Sequence, residues 1–163
     1  MKHFQEELED LKNLLLQMGG LVESAIYRSV AAVVEKDTDQ AKLVLENEAQ
    51  INQMEIAIDE VATRLLALQQ PMATDLRFIT AAIKINNDLE RMGDLAVNIA
   101  ERALFLVHEP AIRPHIDIPQ MATLAESMVR KSLDAFVRGD AELARSVLLS
   151  DDAVDDLRDS TYE

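Results

Sequence analysis

The stretch Met18-Gly-Gly-Leu-Val-Glu-Ser24 returns as Met121-Ala-Thr-Leu-Ala-Glu-Ser127, and this return decides how the chain is read. At a constant offset of 103, residues 18–56 align without a gap on residues 121–159. Eleven of the 39 pairs are identical, among them Leu21/Leu124, Glu23/Glu126, Asp37/Asp140, Ala41/Ala144 and Leu45/Leu148. Other pairs keep their character, as Arg28/Lys131 and Ile51/Val154 do. A repeat unit of about a hundred residues is too long for a solenoid module, whose period runs roughly 20–50. It points to a duplicated domain. The second copy extends only to Glu163, so the sequence reads as one complete unit and the opening of another.

Apolar residues at three–four spacing say what the unit is made of. Leu8, Leu11, Leu15, Met18, Val22, Ala25 and Ala32 form one seam, interrupted at Ser29. Ile51, Met54, Ile58, Val61, Leu65 and Leu68 form a second; Phe78, Ala82, Ile85, Leu89, Met92, Ala96, Ile99, Ala103 and Leu106 form a third. Such sustained spacing marks long helices packed at shallow angles. The expected helices are 4–35, 38–69 and 73–107, then 119–138 and 141–162.

The punctuation agrees. Asp37 or Thr38 can cap the second helix, and Gln70-Pro71 ends it, because the residue before proline avoids the helical region. Short turns between long helices force antiparallel neighbours. The fold class is therefore all-α: residues 1–107 make an antiparallel three-helix bundle, 108–118 a proline-rich linker, and 119–163 the first two helices of a second, repeated bundle. Gly19-Gly20 weakens the first helix or lets another helix come close. Ala122-Thr123 in the second copy makes the pair dispensable to the fold. The seams of Phe136, Val137, Val147, Leu148 and Val154 lack a third helix, so a homo-oligomer is expected, with another chain covering them, or with the fourth and fifth helices packing back or swapping between protomers.

Composition limits the function. The formal charge is −14, which disfavours nucleic acid and anionic membrane surfaces as direct partners. No apolar run is long enough to span a bilayer, and Met1-Lys-His-Phe-Gln-Glu-Glu7 has no signal-peptide character. The chain has no cysteine, which fits a reducing cytoplasm. It also lacks a nucleophile elbow, a phosphate-binding glycine loop and a dinucleotide fingerprint. Its three histidines fall at the terminus and in the linker, so the Glu-x-x-His pairs of a diiron bundle are missing.

What remains are carboxylates four residues apart: Glu55 with Asp59 on the second helix and Glu90 with Asp94 on the third. Each pair shares a helix face, where like charges repel until a cation joins them. Oxygen-only ligands suit magnesium, calcium, manganese or iron better than zinc or copper. The seam assignment puts all four at the edge or outside of the bundle. At ~1.5 Å rise per residue around the turn at Pro71, Glu55 and Glu90 differ by about 4.5 Å in height, Asp59 and Asp94 by roughly 16 Å. A site would centre on Glu55 and Glu90, with Asp94 about 10 Å from Glu55 along the axis. The same spacing recurs at Glu6/Asp10, Asp151/Asp155 and Asp152/Asp156, so spacing alone does not single these pairs out. A metal-storage bundle or metal-dependent hydrolase would use the same four acids.

Several further stretches stand out: Gln70-Pro71-Met-Ala73-Thr-Asp75-Leu76-Arg77, Leu89-Glu90-Arg91-Met-Gly93-Asp94 and Asn98-Ile-Ala100. With Met54-Glu55-Ile-Ala-Ile-Asp59-Glu60 and the glycine pair with its neighbours, they resemble the PhoU family of phosphate-uptake regulators. The resemblance implies tandem three-helix bundles and a non-enzymatic, cytoplasmic negative regulator of phosphate uptake and phosphate-starvation signalling. Its implied partners are the ATPase subunit of the phosphate importer and the phosphate-sensing histidine kinase. Its implied metal motif falls on Glu55, Asp59, Glu90 and Asp94, with iron, manganese, magnesium or zinc as the ion. In the second copy Arg158 and Tyr162 stand where Glu55 and Asp59 stand in the first.

Overall fold

The computed structural model describes residues 2–110 and 117–160. Five helices account for nearly all of them: α1 (Lys2–Glu35), α2 (Thr38–Gln69), α3 (Ala73–Leu106), α4 (Ile118–Arg138) and α5 (Ala141–Asp159). No strand occurs among the described residues. Residues 111–116 of the expected linker and 161–162 of the expected fifth helix lie outside them.

The helix ends follow from their sequence. Asp37 caps α2, its Oδ1 accepting the amides of Asp39 at 3.1 Å and Gln40 at 3.3 Å. Asp140, its repeat counterpart, caps α5 by accepting from the Leu143 amide at 3.0 Å. The preceding residues are a repeat pair as well, and both are left-handed: Lys36 at φ 53° and Gly139 at φ 69°. Behind them the Asp37 amide donates to the Ala32 carbonyl and the Asp140 amide to that of Ala135. The two copies thus share one turn. Gln70, at φ 43°, closes α2 before Pro71.

Helices α1, α2 and α3 pack on one another, α4 packs on α1, and α5 packs on α4. The seam expected on α1 is buried throughout, and Ser29, fully enclosed within it, donates its hydroxyl to the Ile26 carbonyl at 2.9 Å. On α2, Ile51, Ile58 and Leu65 are buried, but Leu68 is 70 % exposed, because the bundle has ended one turn from Pro71.

The reading of α3 needs a larger correction. Its buried face is Ile79, Ala82, Asn86, Leu89, Gly93, Ala96, Ala100 and Ala103, joined by Val97. That face also keeps strict three–four spacing, but it is rotated relative to the expected one. Ile79, Asn86, Gly93 and Ala100 hold the places expected for Phe78, Ile85, Met92 and Ile99. The larger apolar residues form a second stripe, half-buried at Phe78 and Ile85 and exposed at Met92 and Ile99. There Phe78 stacks on Phe136 with ring centres 4.5 Å apart and planes within 9°. In effect α3 has two apolar faces, and its narrow one, rich in glycine and alanine, faces the core.

The glycine pair divides: the close helix approach holds at Gly19, which is not dispensable, and not at Gly20. A Cβ on Gly19 would collide with Leu133 of α4, while one on Gly20 would meet open space. Gly19 is therefore part of the α1–α4 contact. Among the second-copy residues expected to be uncovered, Leu148 is 71 % exposed, Phe136, Val137 and Val154 are half-buried, and Val147 is buried against α4.

Candidate functional site

The close approach of α2 and α3 sets the acidic face. Ile51 of α2 lies over Gly93 of α3, where a Cβ would stand 3.3 Å from its Cδ1 and Cγ2. With Gly93 in the seam, Glu90 moves from the outer face assigned by the sequence to the seam's edge, next to α2. Glu55 and Glu90 are half-buried there, whereas Asp59 and Asp94 are exposed.

The Glu90 carboxyl titrates above its ordinary value of 4.5. Partial burial is the main cause, followed by the hydrogen bond its protonated form makes with Asp94, then the negative charges of Asp94 and Glu55; Arg91 opposes the shift. The structure thus brings Glu55, Glu90 and Asp94 into one electrostatic group. Asp94 joins it through Glu90, one turn away on the same helix. Asp59 lies outside the set of charges that act on Glu90.

Sequence reasoning passed over Asn86. It is 1 % exposed, and its Nδ2 donates to the Glu55 carbonyl of α2 at 2.9 Å, while its Oδ1 is buried without a hydrogen-bond partner. A buried amide that is half satisfied costs stability, roughly 1–3 kcal/mol for the orphaned atom. What it provides is register: one side chain of α3 grips the backbone of α2 at the residue that carries Glu55. The signal was present in the seam Ile79, Ala82, Asn86, Leu89, Gly93, which a search for large apolar residues does not follow.

Among the described residues, no group of three or more His, Cys, Asp and Glu side chains is arranged to enclose a metal ion. The donors at Glu55, Glu90 and Asp94 are carboxylate oxygens on an open helical face. That chemistry fits a hard divalent cation retaining several waters, which needs only one or two protein carboxylates. It does not fit a closed zinc centre, which takes nitrogen or sulfur ligands.

A second acidic group lies where α4 crosses α1. Glu23 and Glu126, themselves a repeat pair, both titrate above 4.5, chiefly because they are partly buried. The Glu23 charge raises Glu126 further, Asp134 raises Glu23, and Arg130 opposes both shifts. Arg130 Nη1 lies 3.7 Å from the Glu23 carboxylate.

The family model of the PhoU domain matches residues 15–103 and again 118–163, the two copies found by the internal repeat. The chain belongs to the PhoU family. A relative from Pseudomonas putida, named phosphate-specific transport system accessory protein PhoU homolog, is 44 % identical over 155 residues, covering 94 % of this chain and 60 % of its own length. One of the same name from Aquifex aeolicus is 40 % identical over 157 residues, 96 % of this chain and 71 % of that protein. The crystal structure of PhoU from Pseudomonas aeruginosa superposes with a TM-score of 0.91 at 42 % identity, over 98 % of this chain and 77 % of that one. The phosphate transport system regulatory protein PhoU from Streptococcus pneumoniae gives 0.86 at 33 % identity, over 97 % and 74 %. The chain therefore spans about 60 % to 77 % of these PhoU proteins.

Proposed function

We propose that this chain acts as a PhoU-type accessory of phosphate-specific transport. In this reading it is a cytoplasmic, non-enzymatic adaptor that restrains phosphate uptake and phosphate-starvation signalling. Its partners are the ATPase subunit of the phosphate importer and the phosphate-sensing histidine kinase. The observation that carries the reading is the likeness, over nearly all of this chain, to relatives named as accessory proteins of that transport system. No described helix is long and apolar enough to cross a membrane. The charge of −14 suits docking on basic surfaces of partners, where it raises association rate and selectivity more than affinity.

On the same reading, Glu55 and Glu90 hold a partly hydrated divalent cation, with Asp94 beside them and Asp59 at the margin. Magnesium, manganese or ferrous iron fits the oxygen donors best. Bound there, the ion would relieve the repulsion that raises the Glu90 carboxyl and tie α2 to α3. A storage bundle or metal-dependent hydrolase would bind the ion through the same acids, so metal binding alone does not separate the readings.

Two experiments do. Pull-down of the protein with the importer ATPase and the sensor kinase, with and without phosphate, is expected to retain at least one of them; loss of both refutes the adaptor. Calorimetric titration of Mn²⁺ is expected to show binding that Glu90→Gln abolishes and Asp59→Asn largely spares. Equal affinity in all three proteins, or binding to none, would leave the acids as surface charge.

A further inference from the structure

The outer face of α3 carries charge opposite in sign to the net −14 of the chain. Arg77, Lys84 and Arg91 follow one another at seven-residue steps, and Arg102 comes eleven residues after Arg91. Steps of seven and eleven return to nearly the same side of a helix, so the four cations fall within about 40° of one another. They line roughly 37 Å of α3, on the side turned away from its buried seam. All four are exposed, and none forms an ion pair with another described residue. Leu95, between Arg91 and Arg102 along the stripe, is 56 % exposed, and Phe105 near its end is 76 % exposed. The exposed acids of α3 flank the stripe, Asp88 on one side, Asp94 and Glu101 on the other.

We infer that this stripe is the docking site of a partner helix that presents Asp or Glu at seven-residue steps. A helix laid along α3 at a shallow angle returns to the same register every seven positions, so its carboxylates meet Arg77, Lys84 and Arg91 in turn. Three of the four cations are arginine, whose guanidinium takes a carboxylate through two parallel hydrogen bonds. Leu95 and Phe105 add apolar contact between and beside the ion pairs. The flanking acids decide against a broad anionic surface. A bilayer or a nucleic acid would lie over Asp88, Asp94 and Glu101 together with the cations, and the net charge repels both. A narrow line of acids meets the cations alone. The stripe lies apart from the acidic surface that the adaptor reading uses, so neither depends on the other.

The test titrates the whole chain into two labelled, helical, alanine-rich peptides of equal length, each with four Glu, and follows anisotropy. One peptide places its Glu at seven-residue steps; the other gathers them at one end. Saturable binding at least tenfold tighter to the first is expected, weakening as salt is added. Lys84→Glu with Arg102→Glu should lower that affinity at least tenfold. Lys42→Glu with Arg145→Glu changes the net charge equally at exposed sites on α2 and α5, and should lower it less than threefold. Circular dichroism and thermal melts check that both double variants fold. Absence of binding to the first peptide, equal binding of the two, or equal losses in the two double variants would overturn the inference. Binding to phosphatidylglycerol vesicles or duplex DNA that only Lys84→Glu with Arg102→Glu abolishes, without preference between the peptides, would assign the stripe to an anionic surface instead.

Discussion

Leu133 of α4 lies across Gly19 of α1 so closely that a methyl group at position 19 would stand 2.2 Å from its Cδ1. The neighbouring Gly20 has nothing within 4 Å of the same imaginary atom. Both glycines weaken α1 by about 1 kcal/mol relative to alanine, and only Gly19 offsets that by packing. Gly20→Ala should therefore stabilise the protein by up to ~1 kcal/mol. Gly19→Ala should not, because Leu133 is buried and has to move. In a Leu133→Ala background, Gly19→Ala should recover the helix-propensity gain. Urea unfolding of the parent and the four variants checks this, and equal gains at both glycines would show that Leu133 yields freely.

Lys36 and Gly139 occupy the same left-handed position in the two copies of the turn. Glycine is at ease there, whereas a residue with a Cβ is strained by roughly 1 kcal/mol. Lys36→Gly should accordingly raise stability by up to about 1 kcal/mol, less what is lost from the contact of Lys36 Nζ with the Glu109 carbonyl. Gly139→Lys should lower it by a similar amount. Thermal unfolding of the two variants is the measurement, and opposite signs are the expected result.

Asn86 predicts a contrast between stability and register. Asn86→Leu removes an orphaned buried Oδ1 together with one hydrogen bond, and should leave stability within about 1–2 kcal/mol of the parent. Asn86→Asp puts a carboxylate in the same enclosed place, near the charges of Glu55 and Glu90, and should cost more. If register is what Asn86 supplies, the Glu90 carboxyl should titrate differently in Asn86→Leu, as followed by carbonyl NMR. An unchanged Glu90 titration would reduce Asn86 to a packing residue.

The helices were legible because their signals are local. The caps Asp37 and Asp140, the break at Gln70-Pro71 and the three–four spacing each act within a few residues. The faces of α3 were harder to read, because Phe78, Ile85, Met92 and Ile99 make the more apolar stripe. The core instead takes the narrower one, which lets α2 approach at Gly93. Hydrophobicity alone cannot rank two apolar stripes on one helix when steric fit decides between them. The acidic face was legible for the same reason the helices were: a four-residue step fixes two carboxylates on one face. Asp59 and Asp94 are exposed as that reading has them, and only Glu90 was placed too far out, because the seam beside it was assigned one position away. Leu133 over Gly19 and Asn86 on Glu55 join residues far apart in sequence, and no periodicity announces such pairs.

The crossing of α1 and α4 makes the stability of the protein depend on pH through Glu126. An acid whose folded pKa stands above 4.5 keeps its proton in the folded protein after the unfolded chain has released it. Stability therefore falls as pH rises from the ordinary value to the raised one, and the penalty is complete above it. The cause is burial first, then the charge of Glu23; Arg130 offsets part of it, and Asp134 acts on Glu23. Glu126→Gln removes the charge while leaving Arg130 beside Glu23. The variant should melt above the parent at pH 7, and the advantage should fade as pH is lowered below 4.5, where Glu126 becomes protonated in both states of the parent. Glu23→Gln should gain less, because it strips Arg130 of its carboxylate. Thermal unfolding at pH 7 and near pH 4 reads both effects, and an advantage for Glu126→Gln that is the same at both pH values would show that packing, not charge, is responsible.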